Sequence, residues 1–311
     1  MADVEVRDGR VVAVGEVDAE VESIEGAGQF LVPAVIDSHV HLTYLPVADE
    51  LMRNGVAGAV DLAAPMSSLA ERSPIRLISA GPMITAVSGY PVSSWGRGGY
   101  GLEVAGPEAA IAAVEELHSR GARVIKVPIT APPVLDDATI AAVVSRAHEL
   151  GLRVAVHALG DADALRAARL GADVLAHTPV QALSEETLEA WRGRAVIATL
   201  TAFGTDSGTL RNLSNLRARG VTVLYGTDLG NTRTPGIDSS ELAAMRDAGL
   251  DGAAVLDAAT RAPAEYWGIT DLGSIEPGKA ACMLLLAADP TVDPLALSRP
   301  EAVWMDGERR D

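Results

Sequence analysis

Residues 31–42, LVPAVIDSHVHL, carry an apolar strand straight into two histidines spaced two apart. Leu31, Val32, Ala34, Val35 and Ile36 make the buried run, and Asp37-Ser38-His39-Val40-His41 ends it. On a strand, positions i and i+2 face the same way, so His39 and His41 aim both imidazoles at one point. A metal ion suits that arrangement, since it takes neutral imidazole nitrogens at about 2.0–2.1 Å. The chain has only six histidines, and the placement of the other four tests whether the pair belongs to a site.

Outward from this stretch, apolar strands alternate with helical patterns. The strands read at 30–41, 55–63, 76–85, 123–130, 153–160, 173–179, 195–200 and 221–228. They are almost continuously apolar, as strands covered on both faces must be. The segments between them carry helix start and stop signals. Residues 107–121 begin near Pro107 and end on Gly121, and residues 136–151 open on Asp136 and close on Gly151. Residues 184–194 open on Ser184 with Glu185 and Glu186 in the first turn, and TLRNLSNLRARG ends in Arg217, Arg219 and Gly220. Arginines and a glycine there suit a helix C-terminus. Eight strands alternating with helices predict an α/β chain folded as a (β/α)8 TIM barrel over residues 30–269. A doubly wound open sheet is the rival, but no G-x-G-x-x-G follows the first strand. Residues 1–29 and 270–311 read instead as short alternating strands with Asp-Gly turns, expected to pair as one small β-sandwich domain built from both ends.

Composition narrows the function. Apolar residues are 48% of the 311, which supplies a large core, and aromatics are 4%, so Ala, Val, Leu and Ile must fill it. The 25 basic and 42 acidic residues leave a net charge of −17 with no dense basic stretch, which argues against nucleic-acid binding. The single cysteine, Cys282, excludes an intrachain disulfide and a cysteine-based zinc site. The opening MADVEVRDGRVV lacks the basic and apolar regions of a signal peptide. The longest apolar run, Ala280 to Ala288, falls well short of the ~18 residues of a membrane span. A soluble cytoplasmic protein is expected. Its partners are a small-molecule substrate and at most further copies of the chain, with neither nucleic acid nor membrane.

In a barrel, chemistry gathers at the C-terminal ends of the strands. His39 and His41 end the first, His157 lies on the fifth, His177 on the sixth, and Asp228 ends the eighth in YGTD. Lys126 lies inside the fourth, between Ile125 and Val127, where an ammonium is costly unless paired or neutralised. Each alone has a plain structural account: a core histidine, a capping aspartate, a snorkelling lysine. Their joint placement argues for a site. His118 and His148 differ, for each lies three residues before a helix-ending glycine, where the helix dipole favours an imidazole. They receive no role. The loop 86–101, AVSGYPVSSWGRGGYG, follows the third strand and carries Tyr90, Trp95, Arg97 and Tyr100. It reads either as a lid or as an ordinary surface loop. Tyr90 is a candidate substrate contact, and Arg97 and Arg233 are candidates to hold a substrate carboxylate.

The ordered motifs VIDSHVH, VIKV, VAVHA, LAHT and YGTD resemble the amidohydrolase superfamily over nearly the whole chain. The branch they look most like is that of imidazolonepropionase-like amidohydrolases and Xaa-Pro dipeptidases. The resemblance implies two divalent metals, usually zinc. His39, His41 and Asp228 would bind the first, His157 and His177 the second, and a carboxylated Lys126 would bridge them. It further implies cleavage of a C–N amide bond by metal-activated hydroxide, with Asp228 shuttling the proton to the leaving nitrogen. The expected substrate is a dipeptide or an N-acyl amino acid. A mononuclear hydrolase of cyclic amides, a deaminase or a lactonase are the alternatives, and a non-catalytic barrel is the remaining one. Dipeptidase-like members carry a tyrosine after strand 7, where this chain has Phe203.

Overall fold

The structure, a computed structural model, describes residues 2–17 and 23–310. Eight parallel strands form a barrel: β1 (Val35–Val40), β2 (Val56–Asp61), β3 (Arg76–Ser79), β4 (Val124–Pro128), β5 (Arg153–His157), β6 (Val174–Leu175), β7 (Ala195–Ile197) and β8 (Thr222–Leu224). β1 to β3 pair in sequence order, and so do β4 to β8. Arg123 N donates to Ser79 O across the β3–β4 seam at 3.1 Å. The ring closes where Ser38 N reaches Tyr225 O at 2.9 Å and His41 N reaches Leu229 O at 2.7 Å. Every residue of β1, β2 and β4 is buried. That burial on both faces is why Val, Ile and Ala make up most of these strands, with Asp37, Ser38, His39, Asp61 and Lys126 as the polar exceptions.

The helices sit outside the barrel with caps that their sequences announce. Helix Asp137–Glu149 starts after Asp136, whose carboxylate accepts from Thr139 N at 2.8 Å. Helix Glu185–Ala190 is capped by Ser184, and helix Ser207–Ala218 by Asp206. Among the described residues no helix is long and apolar enough to cross a membrane.

Two expected strands are each divided. The run 30–41 breaks at Ala34: Phe30–Pro33 pairs antiparallel with Met283–Leu286, and only Val35 onward enters the barrel. The run 76–85 breaks at Gly81, whose φ of +65° turns the chain. Beyond it Met83–Ala86 pairs in parallel with Gly101–Val104, outside the barrel ladder. Hydropathy does not change at either break, and only Pro33 and the Gly81-Pro82 pair stand beside them in the sequence.

Both ends of the chain build the small β-domain. Phe30–Pro33, Met283–Leu286, Ala302–Met305 and Glu308–Arg310 form a four-stranded sheet. The hairpin Asp3–Arg7/Arg10–Gly15 packs on it through Val11, Ala281 and Met283. Both expected Asp-Gly turns are present, at Asp8-Gly9 and Asp306-Gly307, with φ positive at all four residues. No strand forms over residues 23–28 of the expected VESIEGAG, and residues 21 and 22 lie outside the described residues.

Gly226, in YGTD, tests how tightly the barrel closes. A Cβ there would collide with Ile197 Cγ2 and stand 3.1 Å from His39 N. Gly226→Ala should therefore cost about 1–3 kcal/mol by overpacking, read as a lowered Tm in calorimetry. An unchanged Tm would show slack at the β7–β8–β1 junction.

Candidate metal centre

His39 and His41 stand at the end of β1, and Asp228 lies four residues beyond Leu224 of β8. His39 Nε2 is 3.4 Å and His41 Nε2 3.1 Å from Asp228 Oδ1. These three donor atoms lie within 4.8 Å of one another and could hold a metal ion. Their outward nitrogens are free for it because the inner ones are engaged. His39 Nδ1 meets Ala176 O at 2.9 Å and His41 Nδ1 meets Ala63 O at 3.4 Å, which orients each ring and its tautomer. His157 and His177 complete the group: the His177 ring lies 4.6 Å from that of His39 and 4.7 Å from that of His157, between centroids. Thr199 Oγ1 holds His177 Nδ1 at 3.0 Å. Lys126 is fully buried, and neither its Nζ nor Asp228 Oδ1 has a hydrogen-bond partner among the described residues.

Electrostatics favour a cation here. Burial drives His39 and His177 well below the usual histidine range, and burial with the Lys126 charge brings His157 down to about 3. They are neutral donors at neutral pH. Burial alone would raise Asp228, but His39 and His41 beside it outweigh that and hold it well below the usual carboxylate range. Lys126 is pulled down to about 7 by burial, against the pull of Asp228. A buried carboxylate, neutral imidazoles and two orphaned polar atoms form a donor set that fits divalent metals. Strain gathers at the same place. Thr199 and Asp228 both hold positive φ, at 41° and 56°, a cost of about 1–3 kcal/mol each that packed surroundings must sustain.

A profile of the amidohydrolase family matches residues 30–309. The chain belongs to the amidohydrolase family. It is similar to an adenine deaminase of Deinococcus deserti, with 28% identity over 92% of this chain and 53% of that protein. It therefore spans about half the length of that curated relative. Among solved structures it resembles a Xaa-Pro dipeptidase with bound methionine, at a TM-score of 0.84 and 20% identity over 98% of this chain and 94% of the other. It also resembles molinate hydrolase, at a TM-score of 0.80 and 20% identity over 100% and 90%. At such identities these structures speak for the fold alone. Metal dependence belongs to the family, and the His39–His41–Asp228 group is where this member could express it.

The candidate substrate contacts of this amidohydrolase divide. Tyr90 is at the cluster, its ring 5.2 Å from that of His157 and its hydroxyl accepting from Trp95 Nε1 at 2.8 Å. Arg97 and Arg233 are exposed on the segments after β3 and β8, and among the described residues neither forms an ion pair. His148 binds Asp173 at a helix end, and His118 is exposed, so both stay apart from the cluster.

Sequence reading missed the residues that support the donors. Asp37 is fully buried and accepts from His39 N, Thr227 N and Thr227 Oγ1, the last at 2.6 Å. Asp61 ends β2, accepts from Leu42 N and Ala63 N, and stands 3.9 Å from His41 Nδ1. Asp61 is a carboxylate at a barrel-strand end, and Asp37 an acid within an apolar strand as Lys126 is a base within one, the signals that would have found them. Glu241 gave no such signal, since it sits in the first turn of an ordinary helix, Ser239–Asp247. Its buried carboxylate accepts from Leu200 N, Thr201 N and Thr201 Oγ1 at 2.8–2.9 Å. It thus anchors the turn after Thr199, which holds His177.

Burial raises the Glu241 carboxyl from 4.5 to about 7. The folded chain then binds this proton more tightly than the unfolded chain, so stability is lost as pH rises from about 4.5 to about 7. Glu241→Gln cannot titrate. Urea unfolding of metal-free protein should show the variant gaining on the wild type across that window, by on the order of 3 kcal/mol. Parallel stability curves would mean that Glu241 stays ionised throughout.

Proposed function

We propose that this amidohydrolase-family chain is a metal-dependent hydrolase of a C–N amide bond, acting on a dipeptide or an N-acyl amino acid. The observation that carries the reading is the convergence of His39, His41 and Asp228 within 4.8 Å of one another, beside His157, His177 and an orphaned Lys126. In this reading the barrel from Val35 to residue 269 carries the chemistry, and the terminal segments, joined in their sheet by Phe30–Pro33, act as one supporting domain. His39, His41 and Asp228 would hold one divalent ion, and His157 and His177 a second, zinc being the ion best matched to this imidazole set. Bound there, such ions activate water and polarise a carbonyl.

The chain's own residues do the rest. Lys126 Nζ, with its pKa brought down to about 7 by burial, is substantially a free amine at neutral pH. A free amine adds to carbon dioxide with loss of a proton, giving an anionic carbamate that can bridge two ions and ends the burial of an unpaired ammonium. Asp228 Oδ2 accepts from Asn231 Nδ2 at 2.9 Å, while Oδ1 faces both histidines. The carboxylate is thereby fixed to take a proton from the attacking water and return it to the leaving nitrogen. Arg97 and Arg233, exposed and unpaired among the described residues, are offered as the partners of a substrate carboxylate. The likeness to an adenine deaminase favours a second reading, deamination of an N-heterocycle, and release of ammonia from adenine would select it.

Elemental analysis of chelator-free protein should find two divalent ions per chain. Growth with carbon-13 bicarbonate should add one carbamate carbon resonance that Lys126→Ala abolishes. One ion, or a metallated protein without that resonance, would sink the bridged site.

Asp228→Asn should keep the fold, because Asn also tolerates the left-handed backbone that residue 228 adopts. It should keep most of the metal and lose roughly 10²–10⁴ in turnover. His118→Asn, on an exposed helix face, should leave turnover unchanged. Near-normal turnover in Asp228→Asn would refute the proton shuttle.

A further inference from the structure

The chain has four Trp, five Tyr and two Phe. Five of those eleven rings, Tyr44, Tyr90, Trp95, Tyr100 and Phe203, gather at the histidine cluster. Trp95 stands at the His41 end, 5.4 Å from that ring between centroids, with Tyr44 and Tyr100 against it at 5.6 and 5.3 Å. Phe203 stands at the other end, 4.6 Å from His177 and 5.8 Å from His157. Tyr90 ties the first group to His157 through its contacts with both Trp95 and His157.

Of these five rings only Tyr100 is buried, in a small cluster with Ala63 and Met83. Phe203 is 36% exposed and Tyr44 43%, and Trp95 is half-buried. The main core is built mostly from Ala, Val, Leu and Ile, with Trp191, Tyr225 and Trp267 as its rings. An aromatic-poor chain thus places three of its eleven rings, Tyr90, Trp95 and Phe203, where they stay partly exposed and stand beside the histidines. Such placement gives little folding stability, and an open apolar surface beside a reactive centre marks a binding surface.

We propose that Trp95 and Phe203 determine specificity by taking an aromatic or other flat apolar group of the amide substrate. This rests on the amide-hydrolase reading and names its substrate class. A ring entering at either end meets aromatic partners in the edge-to-face or offset geometry that such pairs prefer. It also removes the water from the donor cluster, which strengthens every polar interaction there. Arg97, two residues from Trp95 on the same loop, leaves room in this scheme for a carboxylate beside the ring.

Binding to metal-free protein tests this apart from turnover. Calorimetric titration with N-(phenylacetyl)glycine and N-acetylglycine should show the aromatic ligand bound roughly tenfold tighter or more. Trp95→Ala and Phe203→Ala should each shrink that ratio several-fold, with Phe203→Leu, which keeps apolar bulk, retaining part of it. Circular dichroism establishes that each variant is folded, and Phe203→Leu and Trp95→Phe replace an alanine variant that is not. A ratio near one in the wild type, or a ratio unmoved by every variant, would overturn the proposal. A loss confined to one position would overturn the role of the other ring. The amide-hydrolase reading fails separately: an aromatic preference in binding, with no turnover of either compound after zinc, manganese or cobalt is supplied, would leave the aromatic surface standing and refute that reading.

Discussion

The seam where β1 meets the chain beyond β8 governs the rest of the structure. Asp228 N donates to His39 O at 2.9 Å and His41 N to Leu229 O at 2.7 Å, so the last strand's continuation zips onto the first. Asp37 locks the same seam from within, taking both the amide and the hydroxyl of Thr227. Those bonds close the barrel, and they also fix the distance between one carboxylate and two imidazoles. Closure and donor geometry are therefore one constraint. The positive φ of Asp228 is its consequence, since the chain must turn its side chain inward while its backbone still serves the ladder.

Around that seam the interior carries an unusual load of polar groups. Asp37, Asp61, Lys126, four histidines, Asp228 and Glu241 are all buried beside a core made mostly of aliphatic residues. Each buried carboxylate that supports the donors accepts at least two backbone N–H groups, which offset its desolvation only in part, so that Glu241 is still raised to about 7. The donors themselves are left short. Among the described residues Lys126 Nζ and Asp228 Oδ1 have no hydrogen-bond partner, and burial keeps three of the four histidines uncharged. Free energy is given up where ligands must be kept unengaged and recovered one layer further out.

How much of this could be read beforehand follows from what hydropathy and spacing encode. The alternation of apolar runs with capped helices led to the barrel, because burial on both faces and helix capping are local properties. The His-x-His pair, His157, His177, Lys126 and Asp228 are legible as candidates because polar residues within or at the ends of apolar strands stand out, and the structure brings His39, His41 and Asp228 within reach of one ion. Sheet membership was not legible: Phe30–Pro33 and Val35–Val40 lie in one run separated only by Ala34, and only the partner strand distinguishes them. Glu241 was invisible for a similar reason, since an acid in a helix's first turn is ordinary until its carboxylate is seen to hold Leu200 and Thr201 across the barrel mouth. Phe203 was noted for what it was not, a tyrosine, when its contact with His177 is what matters.

The pairing of Phe30–Pro33 with Met283–Leu286 has a consequence for how the chain reaches its native state. The sheet at the base of the molecule joins segments separated by some of the longest loops the chain offers. During synthesis the earlier strand emerges long before its partner exists. Its edge must stay unpaired while eight barrel strands and their helices are made, the condition under which strands find wrong partners. The entropy of closing so long a loop grows only slowly with its length, so the delay is kinetic and not a loss of final stability. The terminal sheet thus acts as a latch that can engage only once the barrel is complete, so that an unfinished or truncated barrel displays a bare strand edge to whatever surveys nascent chains.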